Sequence, residues 1–412
     1  MRRAIEFIYI DAGGGHRAAA TALAEVISGE RRPWDIRTHS VQDLFHSIDV
    51  IRKSTGIDFQ DVYNIMLRRG WTLGTAQLVP VMHAAIRLFH SAEVRILERH
   101  WAASRPDMVV SLIPHYNRAF KQALDRAWPG TPLVTILTDI ADYPPHFWIE
   151  RQEQYVICGS RRAVDQARAL GLAPSHIFQV SGMILNPRFH QPLAVDRARE
   201  LTRLGLDPSR PTGIVMFGGE GSMEMVKIAK ALNQSDLKTQ LILLCGKHQA
   251  AARALRALRE HDPRMPLRIE GFTKDVPYFM SLGDYFIGKP GPGSLSEALA
   301  MRLPVVVESN AWTLAHERYN AEWILEQGAG VVVSSFTKVA DAVRELLRPA
   351  RYIQYRAQAA AVRNSAVFEV PEILAEIFSR LDRGADNPLL WQGGIAAPPR
   401  ASHPPLQVSR RS

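Results

Sequence analysis

The sequence predicts an α/β protein: two doubly wound, parallel-sheet domains facing a shared cleft. Three observations predict it. Short apolar runs alternate with helix-like runs along most of the chain. The pattern halts in a stretch carrying Gly182, Pro187, Pro192, Pro208 and Pro211, then restarts. Each half also holds a glycine-rich loop between a strand-like and a helix-like run, Gly13-Gly14-Gly15-His16 in the first and Gly291-Pro292-Gly293-Ser294 in the second. A helix N-terminus offers unpaired N–H groups and partial positive charge, so each loop is a candidate anion or phosphate site.

The elements follow in order. Glu6–Ile10 reads as a strand and His16–Ile27, Ala-rich, as a helix. Met108–Ile113, Leu133–Thr138 and Tyr155–Cys158 are apolar runs bounded by turn residues, as expected of strands buried on both faces, and Ile177–Val180 reads as the last strand of this half. In the second half, Gly213–Phe217, Leu241–Leu244, Leu267–Ile269, Tyr285–Ile287, Val305–Val307 and Val331–Val333 read as strands. Helices are expected at about 223–232, 248–259, 294–300, 315–326 and 339–347. The division is residues 1–190, residues 191–383, and a Pro-rich tail over 384–412 with few apolar anchors, expected to be disordered.

Composition narrows the class. The 412 residues are 46% hydrophobic, enough for sizeable cores, and the net charge is +9. The basic excess is diffuse, which suits anionic lipid heads or nucleic acid and specifies neither. Cys158 and Cys245 sit in apolar runs with no zinc-site spacing, so buried thiols and a cytoplasmic setting are expected. No signal-peptide pattern is read at Met1-Arg2-Arg3-Ala4, and no apolar run reaches the ~20 residues of a membrane-spanning helix. Residues 60–104 mix Trp71, Leu78, Val79, Met82, Ile86 and Phe89 with Arg68, Arg69, Arg87 and Arg95. That stretch reads either as helices packed on the first sheet or as a surface that lies on a membrane.

Several strings carry chemistry. Gly13, Gly15 and Ala18 fit a dinucleotide-loop spacing, but Asp35 and Asp43, the candidate ribose anchors, do not fall cleanly at the end of a second strand. At a helix start, the dipole disfavours cationic His16 and leaves a neutral imidazole that can act as a base. Gly218-Gly219-Glu220-Gly221 is a second phosphate-cradle candidate; Glu220 is expected to turn away or to accept from a sugar hydroxyl. In Lys289–Glu297, the Gly293 and Ser294 N–H groups are placed to meet a phosphate, and Glu297, one turn on, is expected to be able to accept from two ribose hydroxyls. Glu317 and Asn320 follow the next strand, at the place for sugar recognition. His115, Asp139 and His146 point to the same cleft from the first half. No residue set has metal-ligand spacing, and no cofactor is expected.

Together these strings resemble the monogalactosyldiacylglycerol synthase branch of family-28 glycosyltransferases, which includes processive diacylglycerol glucosyltransferases. The matching residues are Asp11–Ala18, Thr138-Asp139, Gly218–Gly221, Gly271-Phe272, Lys289–Glu297 with Leu303-Pro304, and Glu317 with Asn320, in the family's order. The resemblance implies a GT-B architecture of two Rossmann-like domains. It implies a UDP-hexose held by the second domain, through Gly218, Gly219, Gly221, Gly291, Gly293 and Ser294 at the phosphates, Glu297 at the ribose, and Glu317 and Asn320 at the hexose. It implies inverting transfer to diacylglycerol at an anionic membrane surface, peripheral on the inner face of the cell membrane, with no nucleic-acid partner. Gly14, Gly15, His115, Asp139 and His146 would face the acceptor, and His16 or Asp11 would be the base. Tyr143–Phe147 departs from the plant pattern, which leaves the acceptor open, and the region after Trp312 leaves galactose against glucose open. Other readings from the same fold are another acceptor, a UDP-sugar epimerase, a nucleotide-sugar-binding protein without catalysis, or an NAD(P) enzyme.

Overall fold

A computed structural model describes residues 2–11, 14–45, 75–262 and 264–384, with backbone alone for 75–89. Ala12, Gly13, Trp71 and the tail beyond residue 384 lie outside the described residues, as does the side-chain pattern of the amphipathic stretch up to residue 89.

The first sheet comprises β1 (Arg3–Tyr9), β2 (Trp34–Ser40), β3 (Met108–Ser111), β4 (Leu133–Ile136), β5 (Tyr155–Cys158) and β6 (Ile177–Gln179). Its helices are α1 (Gly15–Gly29), α2 (Val41–Phe45), α3 (Thr75–Ser104), α4 (Asn117–Ala127) and α5 (Arg161–Ala169). The strands are all parallel, in the order β2-β1-β3-β4-β5-β6. Ile5 and Phe7 point to one core with α1, and Ile8 to a second core with Leu97 and Trp101 of α3. Central strands buried on both faces give the continuous apolar runs seen in the sequence. β2 escapes that reading because it is an edge strand: Trp34 and Ile36 pack inward, while Asp35, Arg37 and His39 alternate with them.

The second half repeats the design. Its elements are α6 (Arg197–Arg203), β7 (Thr212–Met216), α7 (Glu224–Asn233), β8 (Gln240–Leu244), α8 (Gln249–His261), β9 (Leu267–Glu270), α9 (Val276–Ser281), β10 (Tyr285–Gly288), α10 (Pro292–Ala300), β11 (Val305–Glu308), α11 (Arg318–Glu326), β12 (Gly330–Val333), α12 (Val339–Leu346), α13 (Pro349–Ala361) and α14 (Ala366–Asp382). The parallel order is β12-β11-β10-β7-β8-β9. In each sheet, chain direction reverses between two neighbours, β1/β3 and β7/β10. The loops leaving those strands part to opposite faces and open a crevice at the strands' carboxyl ends.

One element crosses over. The division at residue 383 assigns α14 to the second domain, yet Val367, Val370, Leu374, Ile377 and Phe378 are buried in the first core against Ala19, Leu23 and Ile27 of α1. An apolar face at the end of the chain fills the groove that α1 leaves on the first sheet. The chain therefore passes between domains twice, near 181–185 and 362–366. The two passages are tied together. Ser181 donates its N–H to Glu369 at 2.7 Å, the Ser365 N–H donates to Ser181 Oγ at 2.6 Å, and Asn364 donates to the Met183 carbonyl at 2.9 Å. Gly182 is packed so closely that a Cβ there would lie 2.6 Å from Asn364 Cγ.

Candidate active site

Both glycine loops sit at the crevices just described. α1 begins after Gly14, whose φ of 83° is the left-handed conformation that glycine adopts freely. α10 begins after Gly291, with Pro292 in its first turn. Neither start has a side-chain cap, and neither first turn carries an acidic residue. The N–H groups of Gly15 and His16, and of Gly293 and Ser294, are thus outside the helical ladder.

His16 is the second residue of α1 and spans the β1/β3 crevice. Its Nδ1 lies 2.9 Å from the Leu112 carbonyl, just past β3, and 2.9 Å from Thr138 Oγ1. A carbonyl only accepts, so Nδ1 carries the proton and Nε2 keeps a lone pair. Burial pushes the imidazole below its ordinary range, and His316 adds to this; the Asp139 carboxylate and the Leu112 carbonyl oppose it without reversing it. The result is a neutral imidazole held in one tautomer. Trp148, fully buried, packs its ring 5.8 Å from the imidazole and donates from Nε1 to Asp139 at 2.8 Å. Asp139 is therefore buried behind Trp148, not open to the cleft as expected. It acts on His16 through its charge. Asp11 is ion-paired with Arg17.

The segment 142–148 shapes the acceptor side. Asp142 accepts from the N–H groups of His146 at 3.2 Å and Trp148 at 2.7 Å, although burial raises its carboxyl. This knot presents Phe147 and leaves the His146 side chain exposed. His115, at φ 70°, donates its N–H to the Phe147 carbonyl at 2.8 Å and stands edge-on to the Phe147 ring.

On the other wall, Gly218–Gly221 interlocks with the loop after β8. Lys247 donates its N–H to the Gly219 carbonyl at 2.9 Å, and a Cβ on Gly221 would lie 2.2 Å from the Cys245 carbonyl oxygen. The Lys247 ammonium meets Glu220 at 3.1 Å, so Glu220 turns away from the cradle. The Glu297 carboxyl has no hydrogen bond or ion pair among the described residues, and burial pushes it up to about 7. Glu317 is 5% exposed and pairs with Lys289 Nζ at 2.7 Å. Burial would raise its carboxyl, but Lys289 and His316 outweigh that and hold it below its ordinary range. Asn320 is fully buried and donates to the Pro290 carbonyl at 2.8 Å. It braces the loop before α10 and is not open to a ligand through Nδ2; its Oδ1 is buried without a partner.

The walls meet. Phe147 stacks on His316 with ring centroids 5.7 Å apart and planes 10° apart. Tyr143 lies 5.6 Å from Tyr319, and the Arg162 guanidinium sits 5.7 and 5.9 Å from those two rings. Sequence reasoning brought His16, Glu297, Glu317 and the glycine loops to one cleft. It missed Lys289 as a partner of Glu317, although the lysine stands inside the most specific string. It also missed Phe147, His316 and the Leu112 carbonyl; a backbone acceptor leaves no trace in residue type.

Comparison with known proteins agrees with the motif resemblance. No protein-family model matches the chain. Monogalactosyldiacylglycerol synthase of Spinacia oleracea is 28% identical over 390 residues, covering 89% of this chain and 71% of that one. Monogalactosyldiacylglycerol synthase 3 of Arabidopsis thaliana is 27% identical over 359 residues, covering 81% and 72%. Among solved structures, MurG of Acinetobacter baumannii superposes with a TM-score of 0.60 at 13% identity, covering 91% of this chain and 99% of that one. The UDP complex of MnaA from S. aureus gives 0.59 at 14%, covering 92% and 97%. With fold and motifs in agreement, the chain is a GT-B glycosyltransferase related to the monogalactosyldiacylglycerol synthases.

Proposed function

We propose that the enzyme moves a hexose, galactose in preference to glucose, from a UDP-sugar to the free hydroxyl of 1,2-diacylglycerol, with inversion. The observation that carries this reading is His16, a neutral imidazole with a free Nε2, in the field of His316 from the donor wall. Nε2 takes the acceptor hydroxyl's proton as its oxygen attacks the anomeric carbon. The bond to the diphosphate breaks, and the UDP oxygens receive the negative charge. The N–H groups at the start of α10 and in Gly218–Gly221 face that charge, a preorganised electrostatic stabilisation. Glu297 accepts from the ribose hydroxyls, which explains an acceptor-rich carboxylate left without a partner among the described residues. Asp11 is the weaker candidate base, because its carboxylate is already engaged by Arg17. Lys289 and Glu317 set the hexose end of the pocket. Galactose and diacylglycerol are supported by the names of the relatives.

We place the reaction on the cytoplasmic, anionic face of a membrane as a peripheral enzyme. The +9 net charge supports this, and no helix among the described residues is long and apolar enough to cross a membrane. The test is transfer from UDP-galactose and from UDP-glucose, separately, to diacylglycerol in anionic vesicles, read by mass spectrometry of the lipids. A hexosyl-diacylglycerol made faster from UDP-galactose is the expected result. No lipid product from a protein that still binds UDP overturns the acceptor assignment.

A further inference from the structure

On the face of the first sheet that α3 covers, remote from the glycine loops, a second group of polar side chains meets. Glu6 is the fourth residue of β1, His39 the sixth of β2, and His100 lies in the last turns of α3. Strand alternation turns Ile5 and Phe7 into one core and Glu6 and Ile8 towards the other. Glu6 is fully buried. Its Oε2 accepts from Trp101 Nε1 at 3.0 Å and meets His100 Nε2 at 3.0 Å. Its Oε1 is buried with no hydrogen-bond partner, and so is His39 Nε2. The His39 and His100 rings stand edge to face, 4.9 Å between centroids. One ligand atom from each of the three residues lies within 4.8 Å of the others.

We propose that Glu6, His39 and His100 form a binding site for a divalent transition-metal cation, Zn2+ foremost, that clamps β1, β2 and α3 together. Two imidazoles and one carboxylate are the donors that borderline cations prefer, with water completing the shell. Ligand atoms at ~2.0–2.1 Å from a tetrahedral zinc lie roughly 3.4 Å from one another. The three ligand atoms here lie within 4.8 Å of one another, with His100 Nε2 already 3.0 Å from Glu6 Oε2, so side-chain rotations suffice to bring them round one ion. A cation would give both orphaned atoms a partner, and an unsatisfied buried polar atom is otherwise costly. Trp101 keeps the carboxylate oriented from behind, as outer-shell donors do.

Arg37 is the opposing charge, 4.0 Å from Oε1. Its guanidinium is already engaged, donating to Asp35 at 2.8 Å and to the Ser104 carbonyl at 2.8 Å, so it stays beside the site without filling it.

The test uses the full chain without a histidine tag, stripped with chelator, mixed with zinc sulfate, gel-filtered and assayed for zinc by atomic emission. About one zinc per chain is expected, with a higher melting temperature than the stripped protein. His39→Ala removes a ligand from a partly exposed edge strand and should retain at least tenfold less zinc and lose the zinc-dependent thermal shift. His39→Cys, which replaces an imidazole by a thiolate, should restore both. A wild-type chain that retains no zinc, or a His39→Ala chain that retains as much as wild type, overturns the proposal. Both readouts are independent of sugar transfer.

Discussion

The two glycine loops use one device for two different tasks. Both follow a strand, both open a helix without a side-chain cap, and both lie at the point where their sheet reverses direction. The first places a side chain there: His16, with its tautomer fixed by the Leu112 carbonyl. The second offers backbone N–H groups, with its carboxylates, Glu297 and Glu317, set deeper. On the proposed mechanism, what enters the first turn decides the chemistry: an imidazole there serves as the proton acceptor, while glycine, proline and serine leave room for an anion.

The sharpest way to break this contrast is to remove the side chain on one side. His16→Ala should lower kcat by roughly 10²–10⁴-fold while leaving UDP affinity within about twofold, the signature of lost general-base catalysis. Equal losses in UDP binding by calorimetry would erase the division of labour. His16→Ala should also remove the acid limb of the rate profile. In the wild type that limb falls below the ordinary imidazole pKa of about 6.5, because the shift is downward.

On the other wall, Glu297→Ala should weaken UDP binding by roughly tenfold or more, the value of about 1.5–3 kcal/mol for hydrogen bonds to a charged group, with a smaller change in kcat. The carboxyl at about 7 adds a pH test. Folded Glu297 holds its proton more tightly than the unfolded chain does. Its contribution to the stability of the UDP-free protein is therefore full below the unfolded pKa of about 4.5 and fades as pH rises towards 7. UDP affinity should run the opposite way, rising through about pH 7 as the carboxylate forms. Glu297→Gln should flatten both curves in thermal shift and calorimetry.

A third change separates support from contact. Lys289→Met leaves the Glu317 carboxylate buried beside α10 without its cation and should cost roughly 1–3 kcal/mol of stability. Denaturant melts would show it; an unchanged midpoint would mean that Glu317 relaxes to water. The smallest effect concerns the contact between walls. Arg162→Ala removes a cation over Tyr143 and Tyr319, worth about 0.5–1 kcal/mol at an exposed site. Small-angle scattering should register a modest opening of the cleft, with little change in melting temperature.

Sequence and structure agree most closely where one local rule decides. Central strands such as Val305–Val307 show as apolar runs because both faces are buried. The loops show because glycine and proline punctuate them. β2 was hidden because an edge strand alternates polar and apolar residues. α14 has the right helical pattern, but nothing in its residues says which sheet it covers. The site divides in the same way. His16 and Glu297 announce themselves by residue type and position. Lys289–Glu317, Phe147–His316 and Glu6–His39–His100 are meetings between distant segments, and distance along the chain erases them from any local window.

The return of α14 to the first sheet bears on how the protein is made. Residues 366–382 complete a core whose other members are drawn from the first 180 or so residues. As the chain leaves the ribosome, the second domain has all its strands before the first has its last helix. Domains fold as units and generally N-terminal first during synthesis. Here that order is frustrated. The half that carries His16 is translated first and finished last, and until it is finished the apolar side of α1 stays exposed to whatever else is folding nearby.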